Sequence, residues 1–391
     1  MSDNKPPHAC AFEPVTVGNS RLTLLPDGPD RLAALLRLID EAEHSLRILF
    51  YIYCADESGT RVRDALLRAV ERGVAVSLLV DGFGSDASDT FFAPLIEADC
   101  RFCRFSPRWG RRYLLRNHQK LVLVDERRVL IGGFNVSDDY FGTAADGAWR
   151  DLGLLVEGTD AACLVGYFDE LFTWATKPKA RIRELRRMLQ RHSETDGQLH
   201  WLFGGPTRRL SPWAKAVRKD MRAAKRLDII AAYFAPGPRL LRRSGNVARR
   251  GGKARLITAA KSDNGTTILA ARHTYSLLLR RGFEIHEYEA TKMHTKLFVM
   301  DDVVHIGSAN FDMRSLFLNL EMMLRIDDPA FASLMRRFVD GEIAQSRRIT
   351  RAEHRAEAGI VNRIRWGIAY FIVAVADYNL SRRLNFGLNG R

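Results

Sequence analysis

A histidine and a lysine two positions apart stand at the head of an apolar run in the segment NHQKLVLVD, which ends at Asp125. The run is rich in Val and Leu and too short for a typical helix, so we expect a strand. Side chains on a strand alternate between faces, so His118 and Lys120 share one face and Asp125 takes the other. An imidazole beside an ammonium suits a phosphate, because the imidazole can attack phosphorus or move a proton while the lysine holds anionic oxygens. Taken alone, the spacing also fits a histidine and a lysine that face solvent at a strand end.

The same pattern recurs in the segment MHTKLFVMD, which contains His294 and Lys296 and ends at Asp301. Each copy continues into a glycine turn and an asparagine. IGGFN ends at Asn135, and IGSAN ends at Asn310. Two copies with matched spacing and matched continuations favour a functional origin over coincidence.

The paired pattern, HxK followed after four residues by D and then by GGxN or GSxN, resembles the phospholipase D superfamily. The continuations GSANFDMRSLFLNLE and GGFNVSDDYFG, and the RNHQK that opens the first motif, are similar to those of bacterial cardiolipin synthases in that superfamily. The resemblance covers residues 20–340. It implies a phosphatidyltransferase that moves a phosphatidyl group from a glycerophospholipid to the free hydroxyl of phosphatidylglycerol.

Several alternatives remain at this point. The donor lipid is either phosphatidylglycerol or phosphatidylethanolamine. A phospholipase that uses water and a nuclease that cuts phosphodiesters would use the same chemistry. A basic scaffold that only binds lipid or nucleic acid belongs to another class, and two intact motifs argue against it. The C-terminal apolar stretch and the GSANFDMRS continuation fit a nuclease poorly.

The resemblance also implies a mechanism in which two histidines act on opposite sides of phosphorus. One forms a phosphohistidine, and the other protonates the departing alkoxide and then deprotonates the incoming alcohol. By analogy with the family, His118 attacks and His294 is the acid. No metal or other cofactor is expected. The groups expected to stabilise charge on the equatorial oxygens are Lys120, Lys296, Asn135 and Asn310.

Each histidine needs an acceptor on its second ring nitrogen, which holds the reactive tautomer. Strand parity sends Asp125 and Asp301 to the opposite face, so we interpret them as structural members of the motifs. Asp151 and Glu321 lie downstream at comparable distances, although ion-paired strand residues are the alternative interpretation. The resemblance implies that these two acids cross over between the halves. The implied pairs are Glu321 with His118 and Asp151 with His294.

The elements that position these residues indicate a duplicated α/β unit. Segments with helical periodicity alternate with short apolar strands in both halves, which is typical of helix–sheet–helix layers. The resemblance implies two pseudo-symmetric phospholipase D-type α-β-α sandwich domains with one active site at their interface. We expect the domains at 20–176 and 199–345, a linker or surface helix at 177–198, and a basic tail at 346–391.

Composition narrows the class of partner. The net charge of +14 favours nucleic acid or an anionic membrane surface. The motifs favour the membrane, and nucleic acid is disfavoured. Five cysteines suit a reducing compartment better than a disulfide framework. We interpret Cys100 and Cys103 as packing residues, with a metal or redox pair as the alternative.

The N-terminal segment MSDNKPPHACAFEP lacks the apolar core of a signal peptide. No stretch reaches the ~20 apolar residues that a membrane span requires. We therefore expect the short form of these synthases, without N-terminal spans. It would be cytoplasmic and bound peripherally to the inner face of the cell membrane. The sequence gives no indication of oligomeric state.

Two further stretches bear on the substrate. Residues 106–117, SPRWGRRYLLRN, interleave arginines with aromatic residues and could grip lipid headgroups or single-stranded nucleic acid, with a solvated loop as the alternative. Residues 366–376 are uncharged, which is too short to span a membrane but suits a helix at the interface of an anionic bilayer. A buried helix is the alternative. The arginines that flank this second stretch are Arg363, Arg365, Arg382 and Arg383.

Overall fold

The computed structural model describes residues 12–106, 115–193, 197–207 and 210–376. Its elements in the first half are β1 Val15–Val17, β2 Ser20–Leu25, α1 Gly28–Asp40, β3 Ser45–Phe50, α2 Glu57–Glu71, β4 Ala75–Asp81, α3 Asp89–Glu97, β5 Arg101–Phe105, β6 Leu121–Val124, β7 Arg128–Gly132, α4 Asp138–Phe141, β8 Gly153–Gly158, α5 Cys163–Thr176 and α6 Ile182–His192. Those in the second half are β9 Leu199–Gly204, α7 Pro212–Ala223, β10 Arg226–Ala231, β11 Phe234–Ala235, α8 Pro238–Arg249, β12 Lys253–Ala259, α9 Gly265–Arg280, β13 Glu284–Tyr288, β14 Lys296–Met300, β15 Val303–Gly307, β16 Phe311–Asp312, α10 Met313–Phe317, β17 Glu321–Asp327, α11 Pro329–Ala344, β18 Ser346–Ile349, α12 Arg351–Glu357 and α13 Ile360–Phe371.

Each half of the chain builds one large mixed sheet, and both sheets have eight strands within the described ranges. The first sheet has the order β1-β2-β8-β7-β6-β3-β4-β5. The second, taken from its opposite edge, has the order β9-β17-β15-β14-β10-β12-β13-β18. Once the edge strands β1 and β18 are set aside, the two orders match strand for strand. The duplicated α/β architecture expected from the sequence is therefore confirmed.

The strands that follow the two histidines lie inside these sheets. β6 pairs antiparallel with β3 and β7, and β14 pairs antiparallel with β10 and β15. Val122 and Val124 pack in the core that contains the apolar faces of α1 and α2. Leu121 and Leu123 point the other way, into a second core. The alternation expected for this strand is present, and both faces are buried because helices or the other half of the chain cover them.

The second core is shared between the halves of the chain. It joins the leucines of β6 to Leu297 and Val299 of β14, and it also contains apolar residues of α5, α6 and α11. Residues 177–198, expected as a linker or surface helix, contain α6. Its Leu185 and Leu189 are fully buried in this core. The segment therefore helps to hold the two halves together.

The second sheet extends past residue 345, where we expected the domain to end, because β18 pairs antiparallel with β13. Cys100 and Cys103 are buried in different cores, as packing residues would be. Within the described ranges, no helix has the length and apolar character needed to cross a membrane. Residues 107–114, which include most of the arginine-rich stretch, lie outside the described residues.

Candidate active site

The first histidine is tied to the second half of the chain through backbone and side chain alike. The N–H of His118 donates to the carbonyl of Leu320 at 2.9 Å, and the N–H of Leu320 donates to the carbonyl of Arg116 at 2.9 Å. This bridge brings the next residue, Glu321, to the imidazole, where its Oε2 lies 3.0 Å from Nδ1 of His118. The same oxygen accepts a hydrogen bond from the Oγ of Ser308 at 2.5 Å. Because the carboxylate accepts at Nδ1, the lone pair of His118 is left on Nε2.

The second histidine has the equivalent arrangement, with the two halves of the chain exchanged. The N–H of His294 donates to the carbonyl of Arg150 at 2.7 Å, and its Nδ1 lies 2.7 Å from Oδ2 of Asp151. The other carboxylate oxygen accepts from the N–H of Leu152 at 2.7 Å. A Cβ at Gly133 would come within 2.6 Å of that oxygen, so a residue without a side chain is needed here. Both crossed pairs implied by the resemblance are thus present in the structure.

The two histidines open into one cavity of about 460 Å³. The ring of His118 packs beside Tyr51, with centroids 4.9 Å apart. The ring of His294 packs beside Tyr140 and Trp149, at 5.2 and 5.5 Å. The remaining residues of the wall are Ile52, Phe83, Arg116, Asn135, Tyr233, Asp263, Asn310, Asp312, Arg314, Ser315 and Asn319.

The two asparagines expected at this site contribute to the cavity wall. The Oδ1 of Asn135 accepts from the N–H of Ile52 at 3.0 Å. Its Nδ2 is buried and has no hydrogen-bond partner in the described part of the chain, and the same holds for Oδ1 of Asn310. Buried amide atoms without protein partners are uncommon, so these positions suit contact with a bound polar group.

The two lysines lie deeper than expected. Lys120 and Lys296 are each 1% exposed and are not part of the cavity wall. The Nζ of Lys120 donates to the carbonyl of His118 at 2.7 Å, and Lys296 makes the equivalent bond to His294. The HxK spacing places each lysine on the histidine's side of the strand but one step further into the sheet. The ammonium of Lys120 also lies 5.2 Å from the ring of Tyr51, so it is behind the wall of the cavity and not in it.

Burial dominates the protonation of these groups. It lowers the pKa of His118 to about 4 and that of His294 to about 3. Burial also lowers the pKa of Lys120 to about 7, although nearby Glu321 opposes this shift, and lowers that of Lys296 to about 8. Both imidazoles are therefore neutral near pH 7, and the lysines lie close to their titration points.

The motif aspartates are away from the cavity. The carboxylate of Asp125 accepts from the backbone N–H groups of residues 43–45, at 2.8 to 3.0 Å. That of Asp301 accepts from the N–H groups of Lys225 and Arg226. Both aspartates have left-handed backbone, with φ of 47° and 48°. They close the turns after β6 and β14 and fasten them to the start of the neighbouring strands, which is the structural role that strand parity indicated.

Several residues of the site were not found by sequence reasoning. Ser308 and Gly133 occupy matching places in IGSAN and IGGFN, and in the structure each of them adjoins one of the crossed acids. An alignment of the two copies pairs these positions but does not show what they contact. The aromatic residues around the histidines carry no spacing signal. No sequence pattern pointed to Asp312 either. In the structure it lines the cavity, and burial raises its pKa to about 6. Within the described ranges, no three histidine, cysteine or carboxylate side chains are grouped to hold a metal ion.

Comparison with known proteins agrees with this geometry. A family model described as "Cardiolipin synthase, PLD-like domain" matches residues 35–169 and 219–341. The chain is 32% identical to cardiolipin synthase B of Salmonella typhimurium over 342 residues, which is 83% of this chain and 80% of the relative. It is 32% identical to cardiolipin synthase 1 of Bacillus cereus over 318 residues, which is 77% of this chain and 62% of the relative.

Among solved structures, a phosphatidylserine synthase of Haemophilus influenzae superposes with a TM-score of 0.71 at 14% sequence identity. The match covers 93% of this chain and 95% of that one, so the two proteins share the fold. The sequence relatives, the matched family model and the paired motifs agree, and the chain belongs to the cardiolipin synthase family with phospholipase D-like domains.

Proposed function

We propose that this protein is a phosphatidyltransferase that joins a phosphatidyl group to phosphatidylglycerol and so forms cardiolipin. The observation that carries the proposal is the pair of crossed histidine–carboxylate contacts opening into a single cavity. Two such pairs supply a nucleophile and an acid to one phosphorus atom. Membership of the cardiolipin synthase family supports the choice of lipid substrates.

The first half-reaction makes a covalent intermediate. The Nε2 lone pair of His118 attacks the phosphorus of the donor lipid, and the bond from phosphorus to the headgroup oxygen breaks. His294 gives its proton to that oxygen, so the headgroup leaves as a neutral alcohol. His294 is neutral in the empty cavity. The negative charge of the bound phosphodiester raises the pKa of His294, so that its Nε2 takes up from solvent the proton that it then donates. Glu321 and Asp151 stabilise the positive charge that each ring carries in turn.

The second half-reaction reverses these roles. The free hydroxyl of phosphatidylglycerol attacks the phosphohistidine, and His294 removes its proton. The bond from phosphorus to His118 breaks, which restores the neutral imidazole and releases cardiolipin. The ammonium groups of Lys120 and Lys296 lie directly behind the histidines and lower the energy of the charged phosphoryl oxygens. The amides of Asn135 and Asn310 supply hydrogen bonds to the same oxygens.

The donor in this proposal is phosphatidylglycerol or phosphatidylethanolamine, and the leaving alcohol is glycerol or ethanolamine accordingly. The enzyme works at an anionic phospholipid membrane, on the cytoplasmic face. The net charge of +14 supports attraction to such a surface. Acceptor choice decides between synthase and phospholipase, since water in place of the lipid hydroxyl would release phosphatidic acid.

Purified enzyme with labelled phosphatidylglycerol vesicles tests the proposal, with lipid products resolved by mass. Cardiolipin with release of glycerol is the expected product. Phosphatidic acid alone would replace the synthase with a hydrolase, and cleavage of DNA without turnover of any lipid would replace it with a nuclease. Enzyme denatured at alkaline pH, where the phosphorus–nitrogen bond survives, should carry labelled phosphorus on His118, and His294→Ala should retain that label while failing to turn over. Label found on His294 alone would exchange the two roles.

A further inference from the structure

Helix α13 presents an apolar face to solvent. The side chains on this face are between 47% and 79% exposed. At 100° per residue they fall within a sector about 120° wide, so they form one continuous surface. We call this set the α13 stripe. Its members are Ile360, Val361, Ile364, Ile368, Phe371 and Ile372.

The opposite face of the helix is firmly packed. Trp366 stacks on His354, with centroids 5.1 Å apart, and Tyr370 stacks on His273 at 4.8 Å. The hydroxyl of Tyr370 donates to the carbonyl of Pro236 at 2.7 Å. The helix is thus fixed on α9 by its polar-aromatic face. Its apolar stripe is outermost, which is the reverse of an ordinary surface helix.

A basic cavity of about 550 Å³ adjoins the packed face, between α8, α9 and α13. Arg242, Arg280 and Arg363 line it. Each of these arginines is exposed, and none forms an ion pair with a carboxylate in the described part of the chain. Three clustered guanidinium groups without a counter-charge repel one another, and they are suited to bidentate contact with phosphate oxygens. On the other border of the stripe lies a fourth exposed arginine, Arg365.

The C-terminal end of the helix approaches an element that borders the active-site cavity. Ala374, just past α13, packs in a small cluster with Ala235 and Met313. The residue after Met313 is Arg314, which lines the active-site cavity. The C-terminal end of the helix that carries the stripe is therefore joined by packing to the short element that borders the active-site cavity.

We propose that the α13 stripe and the arginines beside it form a membrane-docking surface for bilayers rich in anionic phospholipid. The stripe enters the boundary between headgroups and acyl chains, and the arginines bind headgroup phosphodiesters that are not the substrate. The proposal rests on the proposed function for the kind of membrane involved. It adds a second lipid site, separate from the two histidines, that holds the enzyme on the membrane that contains its substrate.

The positive charge beside the α13 stripe favours anionic lipid over the other possible partners of this surface. A second copy of the chain would bring the same arginines and a further net charge of +14 to the surface. Residues 377–391 contain three arginines and one aspartate, so this segment would also add positive charge to an already basic region. Anionic headgroups supply the missing negative charge, and acyl chains supply cover for the stripe.

Co-sedimentation with vesicles tests the surface directly. The probes are vesicles of phosphatidylcholine alone and of phosphatidylcholine mixed with phosphatidylglycerol. The stripe variant carries Ile364→Ser, Ile368→Ser and Phe371→Ser, all at exposed positions that do not contribute to the core. The affinity of this variant for mixed vesicles should fall roughly tenfold or more for each side chain replaced, because each replacement removes an apolar side chain that would be buried in the bilayer.

The arginine variant carries Arg242→Gln, Arg280→Gln and Arg363→Gln. Near an anionic surface each arginine contributes roughly fivefold to affinity, so binding to mixed vesicles should fall about a hundredfold. Binding to phosphatidylcholine alone should not change. A matched control removes equal charge from exposed positions elsewhere and should bind more tightly than the arginine variant. It carries Arg37→Gln, Arg127→Gln and Arg218→Gln.

Detergent-dispersed phosphatidylglycerol separates docking from chemistry. Both variants should turn over lipid in mixed micelles at the rate of the unmodified enzyme while failing on vesicles. Unchanged vesicle binding by the stripe variant would overturn the inference, as would a change of oligomeric state in that variant without loss of lipid binding. Absence of turnover by the unmodified enzyme in both assays would reject the proposed function instead, and vesicle binding would still report on the docking surface.

Discussion

Replacing Glu321 by glutamine should disable His118 while leaving the shape of the site intact. The Oε2 of Glu321 lies 3.0 Å from Nδ1 of His118, and both side chains are buried. At that distance a unit charge pair contributes about 5 kcal/mol for an effective dielectric constant near 20. Because 1.36 kcal/mol corresponds to a factor of ten in rate, loss of the negative charge should lower kcat about 10³- to 10⁴-fold.

The orientation of the glutamine adds to this loss. The same carboxylate oxygen accepts hydrogen bonds from His118 and Ser308, and a glutamine can accept from both only if its carbonyl takes that place. Its amide group then occupies the position of Oε1, which is buried without a partner in the described ranges. The reverse orientation presents an N–H to Nδ1 and forces the wrong tautomer of the ring. Neither orientation restores the function of the carboxylate.

Ser308→Ala provides the matched control, because it removes one hydrogen bond to Glu321 but keeps the charge. Its kcat should fall only about tenfold, in line with the contribution of one hydrogen bond to a charged group. The assay is kcat for cardiolipin formation, with the amount of labelled phosphohistidine recovered after denaturation at alkaline pH. Near-ultraviolet circular dichroism and thermal unfolding would establish that both variants are folded. A folded Glu321→Gln variant that loses less than Ser308→Ala would refute this account of the carboxylate.

Three further predictions follow from the same geometry. Lys120→Met should lower kcat/KM about 10²- to 10³-fold without lowering the melting temperature, because a buried ammonium with a depressed pKa contributes little to folding; a marked fall in melting temperature would contradict this. For the unmodified enzyme, kcat/KM measured against pH should decline as pH rises above about 7, where Lys120 loses its proton and its charge. An unchanged value up to pH 9, roughly two units above the pKa of Lys120, would contradict the proposal that catalysis uses a Lys120 charge that is lost near pH 7. Asp125→Asn should leave kcat unchanged and lower the free energy of unfolding by about 1–3 kcal/mol, because its oxygens bind backbone N–H groups of residues 43–45, and chemical denaturation checks this value.

Sequence reasoning predicted most of what depends on local pattern. The period-two alternation located β6 and β14, and the same parity argument correctly separated the motif aspartates from the histidines. The crossing of Glu321 and Asp151 came from the family resemblance and not from the spacing. This crossing depends on contacts between segments that are far apart in the chain. His118 and Glu321 are separated by about two hundred positions, and no local sequence pattern predicts such a contact.

The depth of the lysines and the course of the C-terminal helix were the parts that local pattern described least well. The HxK spacing gives a face of the strand but not the distance to the cavity. For the apolar stretch at 366–376, an interfacial helix and a buried helix were treated as alternatives. The structure shows a helix with one packed side and one exposed side: its aromatic side packs on α9, and the exposed stripe begins six residues before Trp366, at Ile360.

The backbone hydrogen bonds from His118 to Leu320 and from His294 to Arg150 also determine the stage of synthesis at which the protein becomes reactive. Each histidine receives its carboxylate, and the hydrogen bond that fixes its backbone, from the opposite half of the chain. During synthesis the first half emerges long before the residue that orients His118 has been made. Domains generally fold from the N-terminus onward, so the first half of the chain exists for a time without the carboxylate that orients its histidine. A nascent or truncated chain that reaches a membrane is therefore unable to begin cleaving its lipids, and reactivity arises only when the complete chain has closed upon itself.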